Sequence, residues 1–216
     1  MVTHYGYDVF FTVTGICLVL GLGSYFFIDN IIAKTTIISL AIILFIFTLN
    51  FFQDPERVTP QEENLIVSPA DGTVIKIEDV YEDKYLKNDA TMICIFMSPV
   101  NVHVNRIPIT GTVGYFDYVK GEFFAAFEEK ASLKNEQTHI GLENKRGKIF
   151  FKQIAGFIAR RIVADLKVGD SVLVGKRFGM IKFGSRIDIF VPKNAEIKVT
   201  MNQKTVAGET VVAVMK

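Results

Sequence analysis

The stretch Met92-Ile93-Cys94-Ile95-Phe96 is a run of five apolar residues, with the length and composition of a buried β-strand. Similar runs recur between Gly, Pro, Asp and Asn residues, at 73–77, 171–174, 187–191 and 210–214. Gly169-Asp170 and Gly208-Glu209 precede two of them and predict tight turns that feed strands, as in flat sandwiches of the biotinyl/lipoyl type. We therefore expect a mainly β fold, a two-layer antiparallel sandwich of this barrel-sandwich hybrid type.

The N-terminal part of the chain has a different pattern, with two long apolar runs. Residues 9–28 carry no charge, and 20 residues as a helix span about 30 Å, the thickness of a hydrocarbon core. A second uncharged run of 18 residues covers 35–52. We expect a transmembrane hairpin over 1–52, a linker over 53–60 and a catalytic unit over 61–216, although two helices of a soluble core remain an alternative. The turn holds one Asp and one Lys, so loop charge does not predict the orientation.

Charge and cysteine content exclude several classes of function. Lys and Arg number 24 against 23 Asp and Glu, so the sequence lacks the basic excess of a nucleic-acid-binding protein. Cys17 lies in the first apolar run and Cys94 in a predicted strand, which predicts two reduced packing residues. Neither these cysteines nor the three histidines have the spacing of metal ligands, and we expect no metal.

The segment with the strongest chemical signal is Arg177-Phe178-Gly179-Met180-Ile181-Lys182-Phe183-Gly184-Ser185-Arg186-Ile187-Asp188. By itself Gly184-Ser185 is a turn between two strands, where glycine permits a close approach of another group. The segment resembles the short form of the phosphatidylserine decarboxylase family, in which Phe-Gly-Ser-Arg marks a self-cleavage site. Further stretches resemble the family in the same order, at 68–74, 97–108, 130–136 and 153–163. Together the matches cover most of residues 65–192.

The resemblance implies a reaction that no standard side chain performs alone. Loss of CO₂ from an amino acid leaves an electron pair at Cα, and an electrophilic carbonyl must accept it. In this family the chain makes that carbonyl, a pyruvoyl group, from the serine of its cleavage site. We therefore expect cleavage between Gly184 and Ser185, a covalent pyruvoyl group from Ser185, and decarboxylation of phosphatidylserine to phosphatidylethanolamine. The chains 1–184 and 185–216 are expected to stay associated.

Two further residues are predicted to assist Ser185, because a serine hydroxyl is a weak nucleophile that needs an oriented base. His103 lies in an alternating strand-like run and, with the family resemblance, is the best candidate for a general acid/base. Asp71 precedes Gly72 in a turn and is the candidate orienting carboxylate. His139 follows the polar residues Gln137 and Thr138, and we expect it to lie in a solvated loop.

Several arginines are candidates for binding the substrate carboxylate or phosphate. Long-form relatives carry a second histidine three residues after His103, where this sequence has Arg106. A guanidinium cannot act as a base, so the step that His103 serves stays open. The remaining candidates are Arg160, Arg161, Arg177 and Arg186.

The family resemblance also suggests a location, the cell membrane, with the catalytic unit facing the cytoplasm. A homo-oligomer stays open. The alternatives are a membrane-tethered lipoyl- or biotinyl-like carrier modified at Lys130, an adaptor without chemistry, and a pyruvoyl enzyme for a different amino acid. The predicted anchor favours a lipid substrate, because it holds the active site at the membrane surface.

Overall fold

The fold is described from a computed structural model of the chain. It describes residues 1–122, 134–156, 161–182 and 185–216, with Ser185 described by its main chain. The chain divides into two compact units, Met1–Pro55 and Glu56–Lys216.

The first unit is a pair of helices. After a short 3-10 helix, His4–Gly6, α1 spans Tyr7–Phe27 and α2 spans Ile31–Phe51. Asn30 caps α2, because its side-chain oxygen accepts hydrogen bonds from the N–H groups of the first helical turn. Both helices are long and apolar enough to cross a membrane. The predicted helical hairpin is therefore confirmed, and its membrane association is supported by length and composition.

The second unit is built from antiparallel strands. Their bounds are β1 (Leu65–Val67), β2 (Gly72–Glu82), β3 (Asn88–Met97), β4 (Val104–Arg106), β5 (Gly111–Val119), β6 (Gln137–Asn144), β7 (Gly147–Ala155), β8 (Arg161–Ala164), β9 (Ser171–Val172), β10 (Arg177–Lys182), β11 (Ser185–Pro192), β12 (Glu196–Ile197), β13 (Lys204–Thr205) and β14 (Val211–Val214). The five predicted runs all fall in or overlap these strands, so the mainly β class is confirmed.

The strands form one large and two small sheets. The large sheet has the order β13-β2-β3-β11-β7-β6-β5-β9, and the small sheets have the orders β1-β14-β12 and β4-β10-β8. β11 lies in the middle of the large sheet, paired with β3 over eight residues and with β7 over six. This position ties the segment after the predicted cleavage site to both neighbours. The biotinyl/lipoyl-like type of the fold stays a prediction.

Both faces of the central strand are buried. Ile187, Ile189 and Val191 alternate along β11 and pack in the main apolar core. On the opposite face Phe190 packs with Phe150 in a second, smaller cluster. A strand that is buried on both faces has a mostly apolar sequence, and for this reason the composition of residues 187–191 predicts a strand.

The predicted glycine turns are confirmed by their backbone angles. Gly169 has φ +95° and Gly208 has φ +76°, a left-handed region that side chains disfavour. Each glycine precedes a strand, β9 or β14, as the sequence predicts.

Candidate active site

The ends of neighbouring strands meet at one edge of the large sheet. Ser185 begins β11 and pairs with Met97, the last residue of β3, and with Ala155, the last residue of β7. Gly72 begins β2 on the far side of β3. The main chain of Ser185 is therefore held between two strand ends. Gly184 lies outside the described residues, and the Ser185 nitrogen, one end of the predicted cleavage bond, lies at this edge.

His103 immediately precedes β4, in the small sheet that contains β10. Val104 pairs with Met180 of β10, the strand that leads into the Gly184-Ser185 segment. A turn positions the histidine: the Asn101 side-chain oxygen accepts hydrogen bonds from the Ser98 N–H and hydroxyl, at 2.8 and 2.7 Å. The sequence therefore folds so that His103 lies beside the strand that enters the cleavage segment.

The protonation state of His103 follows from its surroundings. The ring is fully buried, and its Nδ1 lies 2.9 Å from the main-chain oxygen of Asn101. A carbonyl oxygen only accepts, so Nδ1 carries the hydrogen and Nε2 carries the lone pair of the neutral ring. Burial lowers the pKa of His103 to about 4, while the Asn101 contact opposes the shift. His103 is therefore neutral near pH 7, as a general base must be.

Asp71 has partners on two sides. Its Oδ2 accepts from Arg57 at 2.9 Å, and its Oδ1 accepts from the Ala207 N–H at 2.7 Å. Burial raises the pKa of Asp71, and the bonds from Ala207 and Arg57 oppose the rise. Within the described part of the chain, Asp71 and His103 are not hydrogen-bonded to each other. The Asn101 carbonyl is one contact that orients His103, and the role of Asp71 stays a prediction.

Two of the candidate arginines, Arg106 and Arg186, are buried and form hydrogen bonds with other residues of the chain. Arg186 forms a two-pronged ion pair with Asp188, with bonds of 2.5 and 2.9 Å, in a site where both side chains are almost completely buried. The Nη1 of Arg106 donates to the main-chain oxygen of Gly175 at 2.9 Å. These contacts argue for structural roles at both positions.

The other arginines are placed differently. Arg161 is exposed and pairs in register with Lys182, the last residue of β10. Arg177 forms an ion pair with Glu56 at 2.8 Å. Arg160 lies outside the described residues, as does Lys130. Among the described candidates, Arg161 combines exposure with a position near the cleavage segment.

One expectation about the histidines is wrong. His139 does not lie in a solvated loop: it is buried in β6, in an edge-to-face contact with Phe150. Its Nε2 lies 2.9 Å from the Gln137 side-chain oxygen, and burial lowers its pKa to about 4. The polar residues before His139 suggested a loop, but they belong to a strand whose polar side chains bond inside the protein.

Sequence reasoning also missed a set of buried polar residues below the edge. They are Asn105, Thr138 and Gln153, linked by hydrogen bonds of 2.6 and 2.8 Å. The available signal was a glutamine or asparagine at an inward position of an otherwise apolar strand, as in Phe150-Phe151-Lys152-Gln153-Ile154.

Comparisons with known proteins show the family of the chain. The family model for phosphatidylserine decarboxylase matches residues 44–213. A Chlorobium phaeobacteroides protein named phosphatidylserine decarboxylase proenzyme is 46% identical over 98% of this chain and 99% of its own length. Proteins of the same name are 43% identical in Chlorobium limicola, over 99% of each chain, and 48% identical in Amoebophilus asiaticus, over 79% of this chain and 76% of that one.

These matches define the class of the protein: a carboxy-lyase that is made as a proenzyme. The chain belongs to the phosphatidylserine decarboxylase family.

Proposed function

We propose that this chain cleaves itself between Gly184 and Ser185 and then decarboxylates phosphatidylserine to phosphatidylethanolamine. The observation that carries the proposal is the pairing of Ser185, on β11, with both Met97 and Ala155. The strand before β11 in the sequence is β10, which pairs with β4 directly after His103. The family match supports the substrate and the reaction.

The cleavage converts one serine into a carbonyl group without an added cofactor. Ser185 Oγ attacks the carbonyl carbon of Gly184 while a base takes the hydroxyl proton. The base then passes this proton to the Ser185 nitrogen as the peptide C–N bond breaks, which leaves an ester between Gly184 and Ser185. Loss of the Ser185 Cα proton then expels the Gly184 carboxylate and leaves dehydroalanine. Addition of one water to its imine tautomer releases ammonia and leaves the pyruvoyl group at residue 185. His103, neutral through burial and fixed through Nδ1, is the proposed base.

The strand pairings fit a pyruvoyl group at residue 185. Such a group would supply an electrophilic ketone for the substrate amine and an acceptor for the electron pair released with CO₂. β11 pairs with β3 from Ser185 to Pro192, so residue 185 stays anchored after the bond before it is cut. β14 pairs with β1, which gives the chain 185–216 a second attachment to the chain 1–184. The two chains would therefore stay associated.

The substrate is expected to bind where the edge of the sheet is accessible. Arg161 is the described candidate for the carboxylate or phosphate, and Arg160 next to it is retained as a candidate from the sequence. His103 would also return a proton to the substrate Cα after CO₂ leaves. Arg106 and Arg186 are proposed to support the fold around the site.

The membrane location is proposed from the first unit. Two apolar helices of 21 residues each suit a hairpin in the cell membrane, the place where the lipid substrate resides. The catalytic unit is proposed to face the cytoplasm, as the family resemblance suggests. A carrier or adaptor role is not favoured, because the family match covers 44–213.

A decarboxylation assay tests the proposal. Purified full-length protein is mixed with phosphatidylserine labelled in the serine carboxyl, in detergent micelles, and released CO₂ is counted. Wild type and Ser171→Ala, which alters an exposed serine on β9, should release CO₂ at equal rates, whereas Ser185→Ala should release none above background. Equal rates for Ser185→Ala and wild type would refute a pyruvoyl group at residue 185.

A further inference from the structure

A directional chain of hydrogen bonds crosses the core beneath the candidate site. The Thr138 hydroxyl donates to the Gln153 side-chain oxygen at 2.6 Å, and the Gln153 amide donates to the Asn105 side-chain oxygen at 2.8 Å. The Asn105 amide then points at the sulfur of Met97, at 3.8 Å. All four residues are buried.

This chain joins the strands that frame the site. Asn105 is on β4, two residues after His103, and Gln153 is on β7, two residues before Ala155. Met97 and Ala155 are the residues that pair with Ser185. One side chain, Gln153, therefore connects the strand beside His103 to a strand that holds the Ser185 main chain.

Stability alone does not explain polar groups at these positions. Gln153 pairs in register with Ile187, and Ile187 belongs to the main apolar core. Replacing both partners of a buried hydrogen bond by apolar groups of similar shape is often neutral or stabilising. A hydrogen bond has a fixed length and direction, however, and apolar contacts do not impose either. Such a network is suited to fixing the relative position of two strands.

We propose that Gln153 is a positioning residue for self-cleavage, acting with Thr138 and Asn105. It holds β4 at a fixed offset from β7 and thereby sets the distance between His103 and the Ser185 main chain, which pairs with Ala155 of β7. The inference rests on the proposed self-cleavage. A base displaced by about 1 Å can lose about two orders of magnitude in rate, so loss of the network should slow cleavage roughly ten- to a hundredfold.

The test compares cleavage rate with stability in the full-length chain. The main variant is the triple replacement Asn105→Leu, Thr138→Val and Gln153→Met, which leaves no member of the network unsatisfied. Cleavage is followed by a time course of radiolabelled chain made by translation in the presence of membrane vesicles. Stability is measured as the thermal midpoint of the same variants carrying Ser185→Ala, so that every chain stays whole.

A matched pair of single variants separates positioning from packing. Thr138→Ser keeps the hydroxyl that donates to Gln153, whereas Thr138→Val keeps the shape and removes the donor. We expect Thr138→Ser to cleave at close to the wild-type rate and Thr138→Val to cleave several-fold slower. A structural role alone would make cleavage follow the thermal midpoint in both variants.

The outcomes are distinct. The proposal is supported if the triple variant keeps its thermal midpoint and cleaves slowly, and it is overturned if that stable variant cleaves at the wild-type rate. If the triple variant is unstable, the serine and valine variants decide, and equal cleavage rates for the two overturn the proposal. Absence of cleavage in wild type would instead refute the proposed function, and a positioning role for cleavage with it.

Discussion

Replacing His103 with glutamine should remove a pH-dependent part of the stability of the catalytic unit. The histidine is completely buried, and burial lowers its pKa from 6.5 to about 4. In the unfolded chain it takes up a proton as the pH falls below about 6.5, but in the folded chain it does not do so until about pH 4. The contribution of His103 to stability is therefore fully present above pH 6.5 and is lost as the pH falls toward 4.

The size of this effect follows from the two pKa values. A difference of one pKa unit corresponds to about 1.4 kcal/mol, so the full shift corresponds to about 3 kcal/mol. Between pH 7 and pH 5 the unfolded histidine becomes almost fully protonated while the folded one stays neutral, and about 2 kcal/mol is lost. His139 contributes a loss in the same direction, but it is present in every variant compared and cancels.

The assay is urea unfolding at pH 7 and pH 5, read by pulse proteolysis of full-length protein in detergent. Every variant carries Ser185→Ala, so that differences in cleavage do not enter. The parent should lose about 2 kcal/mol more than His103→Gln between the two pH values. His4→Gln, at an exposed position of the first unit, is the matched control and should behave as the parent does. An equal loss in His103→Gln and the parent would refute the assignment of His103 as a buried neutral base.

Three further substitutions test the packing around the site, each measured by the urea midpoint and, for the glycine variants, also by the extent of cleavage. Asp188→Leu alone should cost about 3–5 kcal/mol, because a buried guanidinium is left uncompensated, and adding Arg186→Met should restore most of it; no recovery would contradict this. Gly179→Ala places a Cβ 2.0 Å from a main-chain oxygen of the facing strand and should lower stability and cleavage, whereas Gly21→Ala, with open space, should change neither. Arg57→Met removes a 2.9 Å ion pair with a mostly buried carboxylate, that of Asp71, and should cost about 1 kcal/mol; an unchanged midpoint would show that the pair contributes nothing.

Local patterns identified both helices and five of the strands of the fold. Apolar runs at 73–77, 92–96 and 187–191 are strands whose apolar side chains pack on both faces of the sheet. The two uncharged N-terminal runs are helices within a few residues of the predicted bounds. The strand order did not follow from such patterns, because the pairing of β11 with β3 and β7 depends on contacts far apart in the sequence.

The candidate site was predictable to a smaller extent. The order of the motifs indicated Ser185 and His103 as site residues. It did not indicate that Arg186 pairs with Asp188, because two residues at i and i+2 lie on the same face only if the segment is a β-strand. The burial of His139 and the network through Gln153 depend on which strands are neighbours. Polar residues inside strands therefore needed the three-dimensional pairing before their contacts were evident.

Self-cleavage at Gly184-Ser185 is the central claim, and intact mass under denaturing conditions tests it most directly. Wild-type protein should give two chains, 1–184 and 185–216, with the smaller chain starting in a ketone that reacts with a hydrazide probe. Ser185→Ala should give one chain of 216 residues. A folded wild-type protein that also remains whole would contradict the account.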